Sequence, residues 1–262
     1  MKILAVGDVI GSGGCKFIEK NLRTLKQETG AELVIVNAEN ANDQNGLDRE
    51  SAELLLSSGA DILTGGNHSL QKYDLFSTLE DNDCVLRPLN FSPAAPGKGY
   101  CIFTSGCGMR ILVISVCGQV FMDTYNSPFG ETEKLLNSQK DLYDFAVCDF
   151  HGEATSEKQA FAKYFEGRIQ IVYGTHTHVQ TADERLTSMG GAYISDIGMT
   201  GVGESVIGMS YDSSVSRFIN GIRKKGMPAK GEITLCGALF TVDEKTKFVT
   251  EIKRIQYKGK DK

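Results

Sequence analysis

Along its first third this chain alternates short apolar runs with stretches of helical period, and that alternation admits few folds. Residues 3–6 read as a buried strand leading into Gly7-Asp8-Val9-Ile10-Gly11-Ser12-Gly13-Gly14. Phe17, Ile18, Leu22 and Leu25 then recur at helical spacing until Gly30 closes the helix. The unit repeats: a strand over 33–36 ends at Asn37-Ala38-Glu39-Asn40, and a helix over 50–58 is closed by Gly59. A third strand over 61–64 ends at Gly65-Gly66-Asn67-His68 and precedes a helix around 73–79.

Residues 87–130 interrupt this rhythm. They hold all but one of the five prolines, and two β-like runs at 100–103 and 109–116 joined by Ser105-Gly106-Cys107-Gly108, the pattern of a hairpin. The region is a candidate insert or lid, with 118–130 its candidate mobile loop. Alternation resumes with a strand over 144–148 ending at Asp149-Phe150-His151-Gly152-Glu153 and a helix begun at Thr155-Ser156-Glu157. The next apolar run, Ile169, Ile171 and Val172, gives out at Tyr173-Gly174-Thr175-His176-Thr177-His178. A strand over 191–195 ends at Asp196-Ile197-Gly198-Met199-Thr200-Gly201, and a hairpin of 232–242 with 248–255 closes the chain. Strands in both βα units and late hairpins predict an α/β fold with a mixed sheet or two packed sheets. A length of 262 residues suits one domain over 1–262 rather than two.

Composition removes several function classes. A formal net charge of −5 argues against non-specific polynucleotide binding, which needs a surplus of lysine and arginine. The basic runs Arg223-Lys224-Lys225 and Lys258-Gly259-Lys260 read as solvated surface. Seven cysteines form no CxxC pair and sit mostly beside apolar runs, as free thiols of a reducing, cytoplasmic compartment do. Asp8 interrupts the first apolar run too early for a signal peptide or a membrane span.

The chain has four histidines, and all of them fall at or just past predicted strand ends, together with Asp8, Glu39, Asn40 and Asn67. Ligands bind at that edge of open α/β sheets, because the loops converge there while the strands are filled with core. Any one of these residues has an ordinary structural use: an N-cap for Asp8, a turn for Asn67, a backbone-satisfied core position for His68. Their coincidence at five strand ends is what points to chemistry. Imidazoles, carboxylates and an amide oxygen without thiolate suit Mn, Fe or Zn at an open site better than a closed structural zinc. Two such ions about 3.5–4 Å apart can hold a bridging hydroxide and a phosphate oxygen for in-line attack at phosphorus. A rival reading takes Gly11-Ser12-Gly13-Gly14-Cys15-Lys16 as a dinucleotide fingerprint, but the third glycine is missing and no P-loop is formed either. These glycines read instead as a flexible turn.

Gly7-Asp8, Gly66-Asn67-His68 and Gly174-Thr175-His176-Thr177-His178 resemble the motifs of calcineurin-like binuclear metallophosphoesterases, with Thr175 inserted in the last of them. The sets Asn37-Ala38-Glu39-Asn40, Asp149 through Lys158 and Ser195-Asp196-Ile197-Gly198-Met199-Thr200-Gly201 look like the bacterial YmdB-like branch across nearly the whole chain. The resemblance implies a four-layer α-β-β-α sandwich with mixed sheets and phosphodiesterase activity, with 2′,3′-cyclic nucleotides among the substrates. It also implies two divalent or mixed-valence metal ions, Fe or Mn before Zn. Asp8, Glu39, Asn40 and His178 would hold one, and Glu39, Asn67, His151 and His176 the other. His68 would be the proton donor to the leaving alkoxide, since imidazole exchanges protons near neutral pH. Ile10 stands where the broad family has a histidine, so Asn40 completes the first set, and Ser69-Leu70-Gln71 replaces the branch's usual Thr-Trp-Asp. A phosphomonoesterase and a nucleotide-binding regulatory module with little turnover are the alternatives; self-association into a homo-oligomer is the further partner expectation.

Overall fold

The βα units form where apolar period and capping residues place them. The computed structural model describes residues 1–122, 126–222 and 224–259; Arg223 and Lys260 of the basic runs, and 123–125 of the candidate loop, lie outside the described residues. In chain order come β1 (Lys2–Val6), β2 (Asp8–Val9), α1 (Gly11–Thr29), β3 (Leu33–Asn37), α2 (Arg49–Ser57) and β4 (Ile62–Thr64). A 3-10 turn (Tyr73–Leu75) leads into α3 (Phe76–Asp81), followed by β5 (Tyr100–Thr104), β6 (Arg110–Cys117), α4 (Pro128–Ser138), β7 (Phe145–His151) and α5 (Thr155–Tyr164). The last elements are β8 (Ile171–Thr175), β9 (Arg185–Leu186), β10 (Ala192–Ile194), β11 (Met199–Val202), α6 (Tyr211–Asn220), β12 (Ile233–Val242) and β13 (Val249–Tyr257).

Two mixed sheets result. The first runs β2-β11-β12-β1-β3-β4, with β13 also paired to β12; the second runs β5-β6-β7-β8-β10-β9. β1 is parallel to β3 and antiparallel to β12, so the late hairpin completes the sheet begun by the first βα units. The 87–130 region contributes β5 and β6, an antiparallel pair at the edge of the second sheet. Alternate residues of each strand face opposite ways, which divides the core. Ile3, Ala5, Leu33 and Ile35 pack with Ile111, Val113, Val147 and Ile171 of the other sheet. Leu4, Val6, Val34 and Val36 pack with Ile18, Leu22, Leu25, Ala52 and Leu55 of α1 and α2. Leu112, Ile114, Ala146 and Cys148 pack with Leu135, Leu136, Phe161 and Phe165 of α4 and α5.

The structure revises several expectations. Gly11–Gly14 is the first turn of α1 rather than a flexible loop. A Cβ on Gly14 would lie 2.8 Å from the Thr200 carbonyl oxygen, so this glycine lets α1 close on β11. β11 forms within a stretch whose glycines suggest a loop, and α4 starts inside the candidate mobile loop behind a Ser127 cap and Pro128. α6 is an additional helix that the apolar pattern does not announce. All seven cysteines are free, and among the described residues no helix is long and apolar enough to cross a membrane.

Candidate metal centre

Five strand ends converge between the two sheets. Asp8 opens β2; Glu39 and Asn40 follow β3; Asn67 and His68 follow β4; His151 is the last residue of β7; His176 and His178 follow β8. β7 runs further than its apolar run suggests, so His151 sits on a paired strand, opposite Thr175 of β8. Strict alternation ends at Thr175, and the next segment turns: His176 has φ 99° and His178 φ 65°, both left-handed. All eight predicted residues meet in or beneath one cleft of about 340 Å³, lined by Glu39, Asn40, His68, His176 and His178 together with Asp43, Met209 and Pro228. Among the described residues none from 87–130 lines it.

Two groupings share Glu39. Around His151 Nε2 stand Glu39 Oε1 at 3.1 Å, Asn67 Oδ1 at 3.1 Å and His176 Nδ1 at 3.0 Å. Glu39, His151 and His176 bring one ligand atom each to within 4.8 Å of one another. On the other side, His178 Nε2 lies 3.5 Å from Asp8 Oδ1 and 3.4 Å from Asn40 Nδ2, and Asn40 Nδ2 donates to Glu39 Oε1 at 2.9 Å. His68 stands at the edge: its backbone N–H donates to Glu39 Oε2 at 2.9 Å, and Gln71 Nε2 lies 2.6 Å from its Nδ1.

The residues fit divalent ions. Asp8 and Glu39 are buried, and Asp8 Oδ1 has no hydrogen-bond partner among the described residues. A buried carboxylate oxygen without a donor is costly unless a cation faces it. Burial favours the neutral acid at both residues, yet the histidines beside them, His178 for Asp8 and His151 for Glu39, hold both pKa values below the ordinary carboxylate range. Burial likewise opposes a charged ring at His178, but the Asp8 carboxylate outweighs it and lifts the pKa to about 9. His176 goes the other way, pushed down to about 4 by burial and by His151. The cluster therefore keeps two buried carboxylates ionised beside imidazole nitrogens, a donor set that suits a divalent cation.

Behind the cluster lie residues to which the sequence alone assigns no role. Thr175 Oγ1 is 2.9 Å from His151 Nδ1 and donates to Asp149 Oδ1 at 2.7 Å, so the ring is aimed from behind and presents Nε2 to the cleft. Asn37 Nδ2 donates to Asp149 Oδ2 at 3.0 Å, tying the first sheet to the second just below the site. Burial pushes the Asp149 carboxyl up to about 6. An acid inside the apolar run Phe145–Phe150 was the available signal. Gly66 leaves no room for a side chain, since its Cβ would come 2.2 Å from Glu39 Oε2 and 2.4 Å from His151 Nε2.

Comparison with known proteins shows what the chain as a whole is similar to. The family described as YmdB-like protein matches residues 4–255. A Bacillus subtilis protein named 2′,3′-cyclic-nucleotide 2′-phosphodiesterase is 37% identical over 255 residues, covering 97% of this chain and 96% of its own. A solved structure of a hypothetical protein from Thermus thermophilus superposes with a TM-score of 0.93 at 34% identity, over 99% of this chain and 100% of that one. The structure of a phosphatase from Mycoplasma pneumoniae superposes with a TM-score of 0.92 at 36% identity, over 100% of this chain and 94% of that one.

Proposed function

Because the chain belongs to the YmdB-like family, we propose that it hydrolyses small phosphodiesters, 2′,3′-cyclic nucleotides foremost, at a binuclear metal centre in this cleft. It is a phosphoric ester hydrolase. We read its two packed sheets and flanking helices as the four-layer α-β-β-α sandwich of metallophosphoesterases, acting as one domain over 1–262. Asp8, Glu39, Asn40 and His178 would hold one ion, and Glu39, Asn67, His151 and His176 the other, with Fe or Mn the metals that best suit these donors. The observation that carries this reading is Glu39, whose carboxylate lies between the two groupings and touches His151 and Asn40 with one oxygen.

Bound there, divalent ions supply Lewis-acid charge to phosphate oxygens and lower the pKa of water. The chain's own residues do the rest. Gln71 Nε2 donates to His68 Nδ1, which leaves the exchangeable proton on Nε2, where it can pass to the departing alkoxide. The Glu39 carboxylate accepts from the His68 backbone N–H through Oε2, which holds the proton donor beside the shared acid. Ile10, Ile207, Met209 and Pro228 give the cleft apolar lining that suits the nucleoside part of the substrate.

The test is metal content by elemental analysis with hydrolysis of bis-p-nitrophenyl phosphate and 2′,3′-cyclic AMP, for wild type and Glu39→Gln after reconstitution with Mn. About two ions per chain and activity lost in the variant support the reading; no bound metal would sink it. A monoesterase is the second reading, motivated by the Mycoplasma pneumoniae relative described as a phosphatase. Faster turnover of p-nitrophenyl phosphate than of the diester would select it. Metal-loaded protein that binds nucleotides yet hydrolyses neither ester would select the regulatory reading.

A further inference from the structure

We propose that the buried Lys158–Asp196 ion pair is a positioning clamp that holds the His176-Thr177-His178 turn in its ligand-presenting conformation. The proposal rests on the metal-centre reading and assigns a role to two motif residues that reading leaves unused. Lys158 lies on α5, three residues before Phe161 and seven before Phe165, on the face that packs into the core, and both partners are about 1% exposed. Lys158 Nζ donates to Asp196 Oδ2 at 3.0 Å and to the Thr175 carbonyl oxygen at 2.9 Å. The same Asp196 Oδ2 accepts from the Thr177 backbone N–H at 3.0 Å and from Thr177 Oγ1 at 2.8 Å. The two peptide groups flanking His176 are thereby tied to one charged pair.

That tie falls where the backbone needs it. His176 and His178 both hold positive φ, a conformation that side-chain-bearing residues keep only where the surroundings over-determine it. Asp196 also reaches the far side of the turn, its carbonyl oxygen accepting from Thr181 N at 3.0 Å. Its own loop is braced, with Oδ1 accepting from Gly198 N at 2.9 Å and Ile197 N donating to the Gly174 carbonyl at 2.9 Å. Among the described residues, the side-chain hydrogen bonds of Lys158 and Asp196 go to the turn, to its anchoring loop or to each other. Stability alone is a poor reason for such a pair, because a buried ion pair is often replaced by apolar residues without loss. Fixing where the two imidazoles point is a reason that an apolar pair could not supply.

The experiment compares full-length wild type, the double variant Lys158→Met with Asp196→Leu, Thr177→Val and Thr177→Ser. Each is stripped of metal, checked by thermal melting, and titrated with Mn²⁺ by calorimetry. The clamp predicts that the folded double variant binds Mn²⁺ about ten- to a hundredfold more weakly, the range typical when a partner of a metal ligand is lost. Thr177→Val should lose less and Thr177→Ser should recover wild-type binding, because serine restores the hydroxyl to Asp196. A double variant that melts as the wild type does and binds Mn²⁺ equally well overturns the clamp and leaves the metal centre standing. Should the double variant fail to fold, the Thr177 pair decides: equal binding by wild type, Thr177→Val and Thr177→Ser overturns the proposal. Wild type that binds no Mn²⁺ overturns clamp and metal centre together, an outcome recognisable because no substitution is involved.

Discussion

His151 Nε2 and His176 Nδ1 stand 3.0 Å apart, the first on the last residue of β7 and the second just beyond the end of the neighbouring β8. One ring is held by a paired strand and the other by a turn, so their facing depends on what lies behind each. Behind His151 that support is the Thr175 hydroxyl, itself bonded to buried Asp149. Replacing Thr175 by valine keeps the shape and removes the hydrogen bonds. We expect Mn²⁺ affinity to fall about ten- to a hundredfold, with Thr175→Ser close to wild type, both read by calorimetric titration.

Gly66→Ala tests the packing of the same cluster from another side. Its new methyl would occupy the space of Glu39 Oε2 and His151 Nε2. Either the carboxylate or the ring must shift, so metal content per chain should drop while the far-UV circular dichroism spectrum is retained. Full metal content in the folded variant would show that the loop yields more readily than this close packing implies.

His68 and Gln71 separate proton transfer from binding. His68→Ala should lower kcat for a diester with a poor leaving group by about a hundred- to ten-thousandfold while the metal stays bound. Gln71→Ala, which frees His68 Nδ1, should cost less. The check is to repeat both with a p-nitrophenolate leaving group: because that group departs without a proton, the losses should shrink.

A pH effect is expected well away from the site. The Arg110 side chain and backbone N–H hold the Asp144 pKa down to about 2, from an ordinary 3.8. Because the folded value is the lower one, the interaction contributes its full stability above about pH 4. That contribution is lost as pH falls from there towards about 2. Wild type should therefore exceed Asp144→Asn in urea stability at neutral pH, and the gap should narrow as pH falls below about 4. A gap that widens in acid would contradict the assignment.

Phe161 reports on the helix layer over the second sheet. It is fully buried and packs with its ring tilted against Phe150 and Phe165, at 4.7 Å between ring centroids. Phe161→Ala should destabilise by about 3–5 kcal/mol, measurable by chemical denaturation.

The site is more legible in the sequence than the sheets that build it. Asp8, Glu39, Asn67 and the histidines stand out because each lies at or just past the end of an apolar run, and a strand's end is where polar groups can gather without unfilled core behind them. Which strands lie side by side leaves no such mark: residues 3–6 say nothing of 233–242, although β1 pairs along its whole length with residues 237–241 of β12. β11 is hidden by Gly198 and Gly201, which read as loop, yet Gly201 lies within the strand. α6 buries none of its residues, so its period carries no core to be recognised. Lys158 belongs to a recognised motif, but its burial is not legible because lysine on an apolar helix face contradicts the usual burial rule; its partner, Asp196, lies 38 residues further on.

The placement of β1 bears on how the chain comes into being. β1 is synthesised before the other strands of its sheet, but one of its two neighbours is β12, and Met1 N donates to the Val242 carbonyl at 3.0 Å. Through most of synthesis β1 has β3 on one side and an open edge on the other. The β6-β7-β8-β10 portion of the second sheet, by contrast, is contained within residues 110–194 and can pair as it emerges. Its completion waits on no distant segment, whereas the first sheet closes last. A nascent chain stalled before β12 would hold His151 at the end of a formed strand while Asp8 and Glu39 still lay beside an incomplete sheet, so the eight site residues come together only once β12 has paired.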